Sequence, residues 1–379
     1  MLEQASTVDI RFSIVITTYN RLNLLKRAID SALKQTVPCE VVVADDCSSD
    51  GTEEYVRGMC QSQDSDRRII YHRNDRNRGH SQTMNLAVRL ASGEWIKPVD
   101  DDDYLAPNCL EEMARTIAIH QATITPKTHS KAVICSAQSA QVDPDGRELS
   151  RTRILGPGKA FYIPQEDIHY GMLLEQVPFG TPVQVAYRRD AFIQSGGWDS
   201  SFDVNFDDID SWIKIAQFGD AIFINRCLAY RTIWPGAYNH KLSLETRLKT
   251  NILIKEKIYP LVHQKHQNRL PELEQIRNYL KLHWGLVALK KAKISLAFRM
   301  TDSAILSQNA WKILLLAIAS RHQDKLPEFM SVFAVNISDL NRNFTALNSD
   351  LKAESLKPHQ LKSNPKFGGG LMAIQRLKL

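Results

Sequence analysis

The sequence predicts an α/β protein, a mostly parallel sheet with helices on both faces, followed by an α-helical C-terminal region. Three observations carry this. Short β-branched runs alternate with segments of helical periodicity through the N-terminal part of the chain, the pattern of parallel strands joined by crossover helices. A polar or acidic cluster follows each of those runs, and in such sheets ligands bind at the carboxyl ends of the strands. After residue 241 only helical spacing remains.

The elements follow in order. Phe12 to Thr17 (FSIVIT) is a continuous β-branched run, read as a strand buried on both faces. A turn at Tyr19-Asn20-Arg21 leads to Leu24, Leu25, Ala28, Ile29, Ala32 and Leu33 at helical spacing. Glu40 to Ala44 is a second buried strand. Its end, Asp45 to Gly51, is rich in the Ser, Asp and Gly that cap helices, and Thr52 to Met59 is expected to be helical. Ile69 to His72 is a third strand, followed by the polar loop Arg73 to His80. Met84, Ala87, Val88 and Ala91 mark a helix, Ser92-Gly93 stops it, and Trp95 to Val99 is a fourth strand. Asp100 to Asp103 come directly after it.

Beyond residue 122 the signal is sparser. Ala132 to Ser136 reads as a strand and Asp143 to Gly146 as a hairpin tip. Arg151 to Gln165 lacks periodicity and reads as a loop. Val183 to Tyr187 reads as a strand, Asp190 to Gln194 as a short helix, and Ser195 to Asp199 as a tight turn. Asp203 and the run Phe206 to Trp212 form a second acidic cluster; Ile209, Trp212, Ile213 and Ala216 share one helical face, which puts Asp207 and Asp208 in a first helical turn. Helices are expected over Leu242 to Ile258, Glu272 to Arg299 and Ala304 to Ser320, with one more between Leu326 and Asn343.

Composition narrows the function. The net charge is +6, and residues 351–379 hold six Lys or Arg against one Glu, so most of the surplus sits in the tail. That argues against a nucleic-acid-binding surface. The six cysteines form no CxxC pair and no zinc spacing, and the N-terminus has no signal-peptide pattern. These features predict reduced cysteines and a cytoplasmic protein. No GxGxxG follows the first strand and no P-loop occurs, which disfavours a dinucleotide fold and a P-loop NTPase.

Four consecutive carboxylates repel one another unless a cation neutralises them. A hard divalent ion with oxygen ligands does so, and Mg²⁺ or Mn²⁺ would also bring in a phosphate. The plainer reading is a solvated acidic turn capping the next helix. Four polar clusters on one edge of one sheet, Thr17 to Asn20, Asp45 to Asp50, Arg73 to His80 and Asp100 to Asp103, favour a site. Asp207-Asp208 reads either as helix capping or as a general base facing that cluster.

The motifs carry a resemblance. Ser13 to Arg21 (SIVITTYNR), Asp45 to Thr52 (DDCSSDGT), Asn77 to Asn85 (NRGHSQTMN), Ala91 to Ile96 (ASGEWI), Asp100 to Asp103 and Asp207 to Trp212 (DDIDSW) occur in that order. Together they resemble the family 2 glycosyltransferases, which have the GT-A fold, over about residues 10–240. The resemblance implies a nucleotide-binding sheet of GT-A type. It also implies transfer of a sugar from a nucleotide-diphosphate donor to an acceptor hydroxyl, on a glycan or lipid-linked sugar, with inversion and with Mg²⁺ or Mn²⁺. Carried over by motif, Thr17 and Tyr19 sit beside the base, Asp46 accepts a hydrogen bond from it, and the Arg78-Gly79 loop approaches the nucleotide. Asp100 to Asp102 correspond to the DxD element, with Asp102 the metal ligand and Asp101 near the ribose or donor sugar. Asp103 is free to cap the next helix. Asp208 matches the general base.

The sequence departs from the family in two places. The usual Glu-Asp pair is Asp207-Asp208, one methylene shorter. Where many members have a His that completes the metal or phosphate shell, this chain has Trp234, with His240 six residues on. His240 then reads either as a substitute ligand or as a surface-loop histidine. The implied organisation is a catalytic domain over 1–240, a helical region over 241–345 and a basic, partly disordered tail over 346–379. Basic helices of the second region could pack on the catalytic domain or rest on the inner face of a membrane as a peripheral contact. Two other classes stay open: a non-catalytic nucleotide-sugar or glycan-binding module on the same fold, and a metal-dependent phosphohydrolase or nucleotidyltransferase using clustered carboxylates.

Overall fold

β-Branched runs without alternation suit strands covered on both faces, and the sheet shows that arrangement. The computed structural model describes residues 10–61, 69–123, 131–156, 158–202, 206–234 and 243–320. The N-terminal elements are β1 (Phe12–Thr18), α1 (Leu22–Leu33), β2 (Glu40–Asp45), α2 (Thr52–Gln61), β3 (Ile69–Arg73), α3 (His80–Leu90), β4 (Trp95–Asp100), β5 (Tyr104–Leu105) and α4 (Cys109–Thr123). Next come β6 (Ala132–Val142), β7 (Glu148–Arg151), β8 (Ala160–Ile163), α5 (Gln165–Leu173), β9 (Val185–Arg188), α6 (Arg189–Gln194), α7 (Asp207–Ile215) and β10 (Asp220–Thr232). Four helices complete the described chain: α8 (Leu244–Ile258), α9 (Leu273–Lys290), α10 (Ile294–Thr301) and α11 (Gln308–Ser320).

The ten strands among the described residues form one sheet in the order β3-β2-β1-β4-β9-β6-β10-β5, with β7 on β6 and β8 on β10. The first four strands are parallel, as the alternating pattern requires. β9 is antiparallel to both β4 and β6, and β10 is parallel to β6. β6 and β10 therefore point the same way as β4. The carboxyl ends of β1, β2, β3, β4, β6 and β10 all open on one edge, so the residues after β10 meet those after β4.

Successive residues of β1 and β2 enter opposite cores. Ile14, Ile16, Val41 and Val43 pack with Leu25 and Ile29 of α1 and with Met113 and Ile117 of α4. Val15, Val42 and Ala44 pack with Met84 and Val88 of α3, on the face that also receives Ile254, Trp284, Met300 and Leu314 of the C-terminal helices. Each large side chain buried this way contributes roughly 1.5–3 kcal/mol. The helical region thus extends one core of the sheet. It is pinned there by Lys255 of α8, whose ammonium donates to the carbonyls of Met172 (3.1 Å) and Leu173 (2.7 Å), and by the His266–Asp167 contact at 2.6 Å.

Two close approaches fix the site edge. Gly93 lets the α3–β4 connection pass β1: a Cβ there would sit 2.5 Å from the Ser13 nitrogen. Lys97, fully buried in β4, directs its ammonium at the carbonyls of Val183 (2.6 Å) and Val185 (3.2 Å), holding the entry to β9 against β4.

Several elements differ from the sequence reading. Arg151 to Gln165 is not all loop, because the apolar quartet Ala160–Ile163 forms β8 on the edge of β10. Pro182–Gln184 is a short 3-10 turn, so the strand there begins at Val185. The Glu272 to Arg299 stretch is broken between α9 and α10, where Ala292 adopts φ 58°. The fourth helix expected between Leu326 and Asn343, and the tail over 346–379, lie outside the described residues.

Candidate active site

The acidic run turns back on itself at the end of β4. The Asp103 amide donates to the Asp100 carbonyl at 3.0 Å. Carboxylate oxygens of Asp100, Asp102 and Asp103 then lie within 4.8 Å of one another. Asp101 is not in that group: it accepts from Thr18 Oγ1 at 2.8 Å and from Arg21 Nη1 at 3.0 Å. Asp102 Oδ2 accepts from Trp234 Nε1 at 2.9 Å, and Asp103 Oδ1 from the Thr232 amide at 2.9 Å. Thr232 Oγ1 also bonds the Asp102 carbonyl, which Arg27 Nη2 meets at 2.9 Å. The end of β10 therefore braces the turn from one side and α1 from the other.

The electrostatics of the turn call for a cation. Burial, and after it the neighbouring carboxylates, push Asp102 and Asp103 above the ordinary carboxylate range. Burial also pushes Asp101 up to about 6, against the pull of Arg21. Asp100 goes the other way: burial opposes its ionisation, but His80 beside it outweighs that and keeps it low. Its Oδ1 is buried without a hydrogen bond, 3.6 Å from His80 Nε2. Arg231, at the end of β10, eases the charge on Asp100, Asp102 and Asp103 without closing an ion pair on any of them. Three converging carboxylates, two with raised pKa and one with a free buried oxygen, suit a hard divalent cation with oxygen ligands. Mg²⁺ or Mn²⁺ fits this donor set.

The second acidic pair arrives from α7. Phe206, at φ 73°, turns the chain into the helix, and Asp207 and Asp208 occupy its first turn, where unpaired amides favour anions. Asp208 Oδ1 accepts from the Ile209 amide at 2.8 Å. Burial, followed by the charge of Asp207, pushes Asp208 up to about 7. Asp207 Oδ2 lies 3.2 Å from His80 Nδ1, while His80 Nε2 lies 3.1 Å from Thr17 Oγ1. One imidazole, at the start of α3, thus spans β1, β4 and α7. Burial works against its protonation, but Asp100 and Asp207 prevail and its pKa is raised. Its edge also meets Trp198 at 5.1 Å between centroids.

The β2 end holds the remaining expected residues. Asp46 is buried and accepts three bonds: Asn74 Nδ2 (2.8 Å) and the Arg78 amide (2.7 Å) at Oδ1, and the Gly79 amide (2.9 Å) at Oδ2. It latches the 74–79 loop to the sheet, and Gly79, at φ 88°, supplies the turn this requires. The Arg78 side chain faces outward onto Asp75 at 2.8 Å. Tyr19 is exposed beside the Asn20 turn, whose amide donates to Ser48 Oγ at 2.9 Å.

Thr17, Asp46, Gly79, Asp100, Asp102 and Asp208 therefore gather at the one edge, with Tyr19 and Arg78 at its rim. Asp101 departs from the expected picture, facing Thr18 and Arg21. Sequence reasoning gave no individual role to His80, Arg21, Arg231 or Thr232. His80 stood in it only as the last residue of the polar loop Arg73 to His80 and within the motif Asn77 to Asn85, and Arg21 only as the end of the motif Ser13 to Arg21. Asp203 and His240, the alternative ligand, lie outside the described residues.

Comparisons with known proteins bear on the family and the fold. Residues 13–196 match the profile described as Glycosyl transferase family 2. The succinoglycan biosynthesis protein ExoO of Rhizobium meliloti (strain 1021) is 40% identical over 106 residues, 28% of this chain and 28% of ExoO. The chain spans about a third or less of the length of the curated relatives it matches. Among solved structures, S. aureus TarS 1-349 in complex with UDP-GlcNAc aligns with a TM-score of 0.54 at 18% identity, covering 88% of this chain and 92% of that one. The mannosyltransferase PcManGT from Pyrobaculum calidifontis, in complex with GDP-Man and Mn²⁺, aligns with a TM-score of 0.50 at 19% identity, covering 90% and 88%. At that identity the structural likeness establishes the fold, which is GT-A-like. Profile, motif order and fold agree, and it is residues 13–196, just under half of the chain, that carry the likeness to glycosyl transferase family 2.

Proposed function

We propose that the protein is an inverting glycosyltransferase that moves a sugar from a nucleotide-diphosphate donor to an acceptor hydroxyl, with Asp208 as general base. One observation carries this reading. The Asp100–Asp102–Asp103 cluster at the end of β4 and the Asp207-Asp208 pair at the start of α7 stand on one edge, joined through His80. Metal-holding carboxylates on one side and a carboxylate near neutral pKa on the other suit a reaction with an anionic leaving group and a hydroxyl nucleophile.

The roles follow from position. Thr17 and Tyr19 border the nucleoside, with the Arg78-Gly79 loop over it. Asp46 Oδ1 already accepts two bonds, so a base donor would meet Oδ2, which accepts one. Asp102, with Asp100 and Asp103, would hold Mg²⁺ or Mn²⁺, and Asp101 acts through Arg21, which it orients beside the cluster. When bound, such an ion neutralises charge on the diphosphate as it leaves. Arg21 and Arg231 add fixed positive charge on the same side. Asp208 accepts the proton of the acceptor hydroxyl as its oxygen bonds the anomeric carbon. The bond from that carbon to the diphosphate breaks, the nucleoside diphosphate leaves with the electron pair, and attack from the opposite face inverts the centre. The transition state resembles an oxocarbenium ion, and holding the two reactants in line supplies much of the acceleration.

The structural neighbours support the donor class and the metal, since S. aureus TarS 1-349 is in complex with UDP-GlcNAc and PcManGT in complex with GDP-Man and Mn²⁺. The relative ExoO, a succinoglycan biosynthesis protein, supports polysaccharide biosynthesis, and the acceptor proposed with it is a glycan or lipid-linked sugar.

The test is a panel of UDP, GDP and dTDP sugars, each with and without Mn²⁺ or Mg²⁺, read by thermal shift and by nucleoside diphosphate release. One donor is expected to raise Tm only with metal, to lose that effect in Asp102→Ala, and to turn over with a suitable acceptor. A donor that binds without any turnover across a broad acceptor panel would point to a binding module. No binding by any donor would remove the proposal.

A further inference from the structure

We propose that the outer face of α9, α10 and α11 is a docking surface for an anionic lipid bilayer. It stands independently of the proposed chemistry. Of the fifteen large apolar side chains exposed among the described residues, eight fall between residues 286 and 315. Single exposed apolar residues are ordinary on any surface; a concentration of this kind marks an interaction site.

Each helix presents such residues at helical spacing. On α10, Ile294 and Phe298 are four residues apart and 61% and 64% exposed. On α11, Trp311 and Leu315 share the same spacing, and the indole nitrogen of Trp311 donates to the Ile305 carbonyl at 2.8 Å, tying α11 to the turn before it. That turn carries Leu306, 83% exposed. The opposite faces hold the helices to the core through Trp284, Ala297, Met300, Ala304 and Leu314. The outer face is therefore presented by a fixed scaffold.

The charge on this face selects the partner. Lys290, Lys291, Lys293 and Lys312 are exposed there, and none of them pairs with a carboxylate among the described residues. Arg299 is taken by Glu245 at 3.0 Å, and Asp302 is the one acid between 286 and 315. A second copy of the chain, meeting this face with its own, would bring lysines against lysines. Residues 321–379 are a poor cover on the same ground: nine Lys or Arg against five Asp or Glu make them basic too. Anionic headgroups supply the missing sign, and the apolar side chains with an interfacial tryptophan suit the headgroup–acyl boundary. Among the described residues no helix is long and apolar enough to cross a membrane, and the surface is spread over three short helices.

The experiment is flotation of the full chain with vesicles of phosphatidylcholine alone and of equal parts phosphatidylcholine and phosphatidylglycerol. Binding is expected only to the second, and to fall with added salt. Lys290→Glu with Lys293→Glu should weaken it by more than about twentyfold, since each lysine near an anionic surface is worth about fivefold. Phe298→Ser with Leu306→Ser should weaken it comparably while leaving Tm unchanged, because both side chains are exposed. Lys362→Glu with Lys366→Glu and Lys378→Glu, in the same full chain, should have the smaller effect. The proposal falls if anionic vesicles do not bind or if the 298/306 variant binds fully. It falls equally if only the tail variant loses binding, or if lipid-free protein self-associates through a contact that the 298/306 variant abolishes.

Discussion

Trp234 donates its indole N–H to Asp102 Oδ2 at 2.9 Å, and the Arg21 guanidinium lies 3.5 Å from that same oxygen and 5.3 Å from the Trp234 ring centroid. The family resemblance led to a histidine near this position. The tryptophan instead orients the carboxylate, and Asp102 Oδ1 stays free for a cation. A donor behind a ligand fixes its direction, and losing such a partner commonly costs ten- to a hundredfold in metal affinity or activity.

Trp234→Phe keeps most of the ring against Arg21 and deletes only the donor. The concentration of Mn²⁺ or Mg²⁺ needed for half-maximal donor-induced thermal shift is expected to rise about tenfold, with Tm of the metal-free protein little changed. An unchanged metal requirement would show that Asp102 is held without the indole.

Asp46→Ala separates latch from ligand. The substitution strands the Arg78 amide and leaves the Gly79 amide only its 3.2 Å bond to Asn77 Oδ1, and an unsatisfied donor costs about 1–3 kcal/mol. Urea unfolding should therefore show a loss of roughly 1–3 kcal/mol, larger than in Asp46→Asn, which keeps one acceptor oxygen. If Asp46 served only a ligand, donor affinity would drop with no change in the urea midpoint.

Much of this edge could be read from the sequence because its parts are local. FSIVIT and EVVVA specify strands buried on both faces, and the residues that end them must stand at the carboxyl edge. Asp207 and Asp208 fall in a helix first turn on spacing alone. Contacts between distant segments were out of reach. His80 and Asp207 are 127 positions apart, and no pattern around either names the other. The rotation of Asp101 toward Thr18 depends on the turn that pairs the Asp103 amide with the Asp100 carbonyl, a geometry that four identical residues do not encode. β8 was missed because four apolar residues in a polar stretch look like loop until β10 offers them an edge.

The acidic limb of activity should follow Asp208. As the proposed base it must be ionised, and with its pKa pushed up to about 7 kcat/KM should rise as pH rises through that region and then level off. Asp208→Asn should lower turnover by about 10²- to 10⁴-fold while donor-induced thermal shift persists. Stability runs in the opposite direction. An acid with a raised folded-state pKa binds more protons folded than unfolded between about 4 and 7, so the metal-free protein should lose stability as pH climbs through that window. His80, also raised, acts with the same sign above its unfolded pKa, near 6.5. A pH series of Tm in chelator, repeated with Mn²⁺, checks this; a flat chelator series would contradict the burial-driven shifts.

His80 reaches Thr17 from β1 and Asp207 from α7 at 3.1 and 3.2 Å, with Asp100 at 3.6 Å. It is therefore the side chain that relates the carboxylates after β4 to the first turn of α7. If that relation matters, His80→Ala should lower kcat by about tenfold to a hundredfold, the range expected for a displacement near 1 Å, with a smaller change in donor KM. His80→Gln keeps a donor and an acceptor at similar reach and should recover part of the loss. A purely structural role predicts another pattern: both variants would lower Tm in proportion, and kcat measured well below Tm would match the wild type.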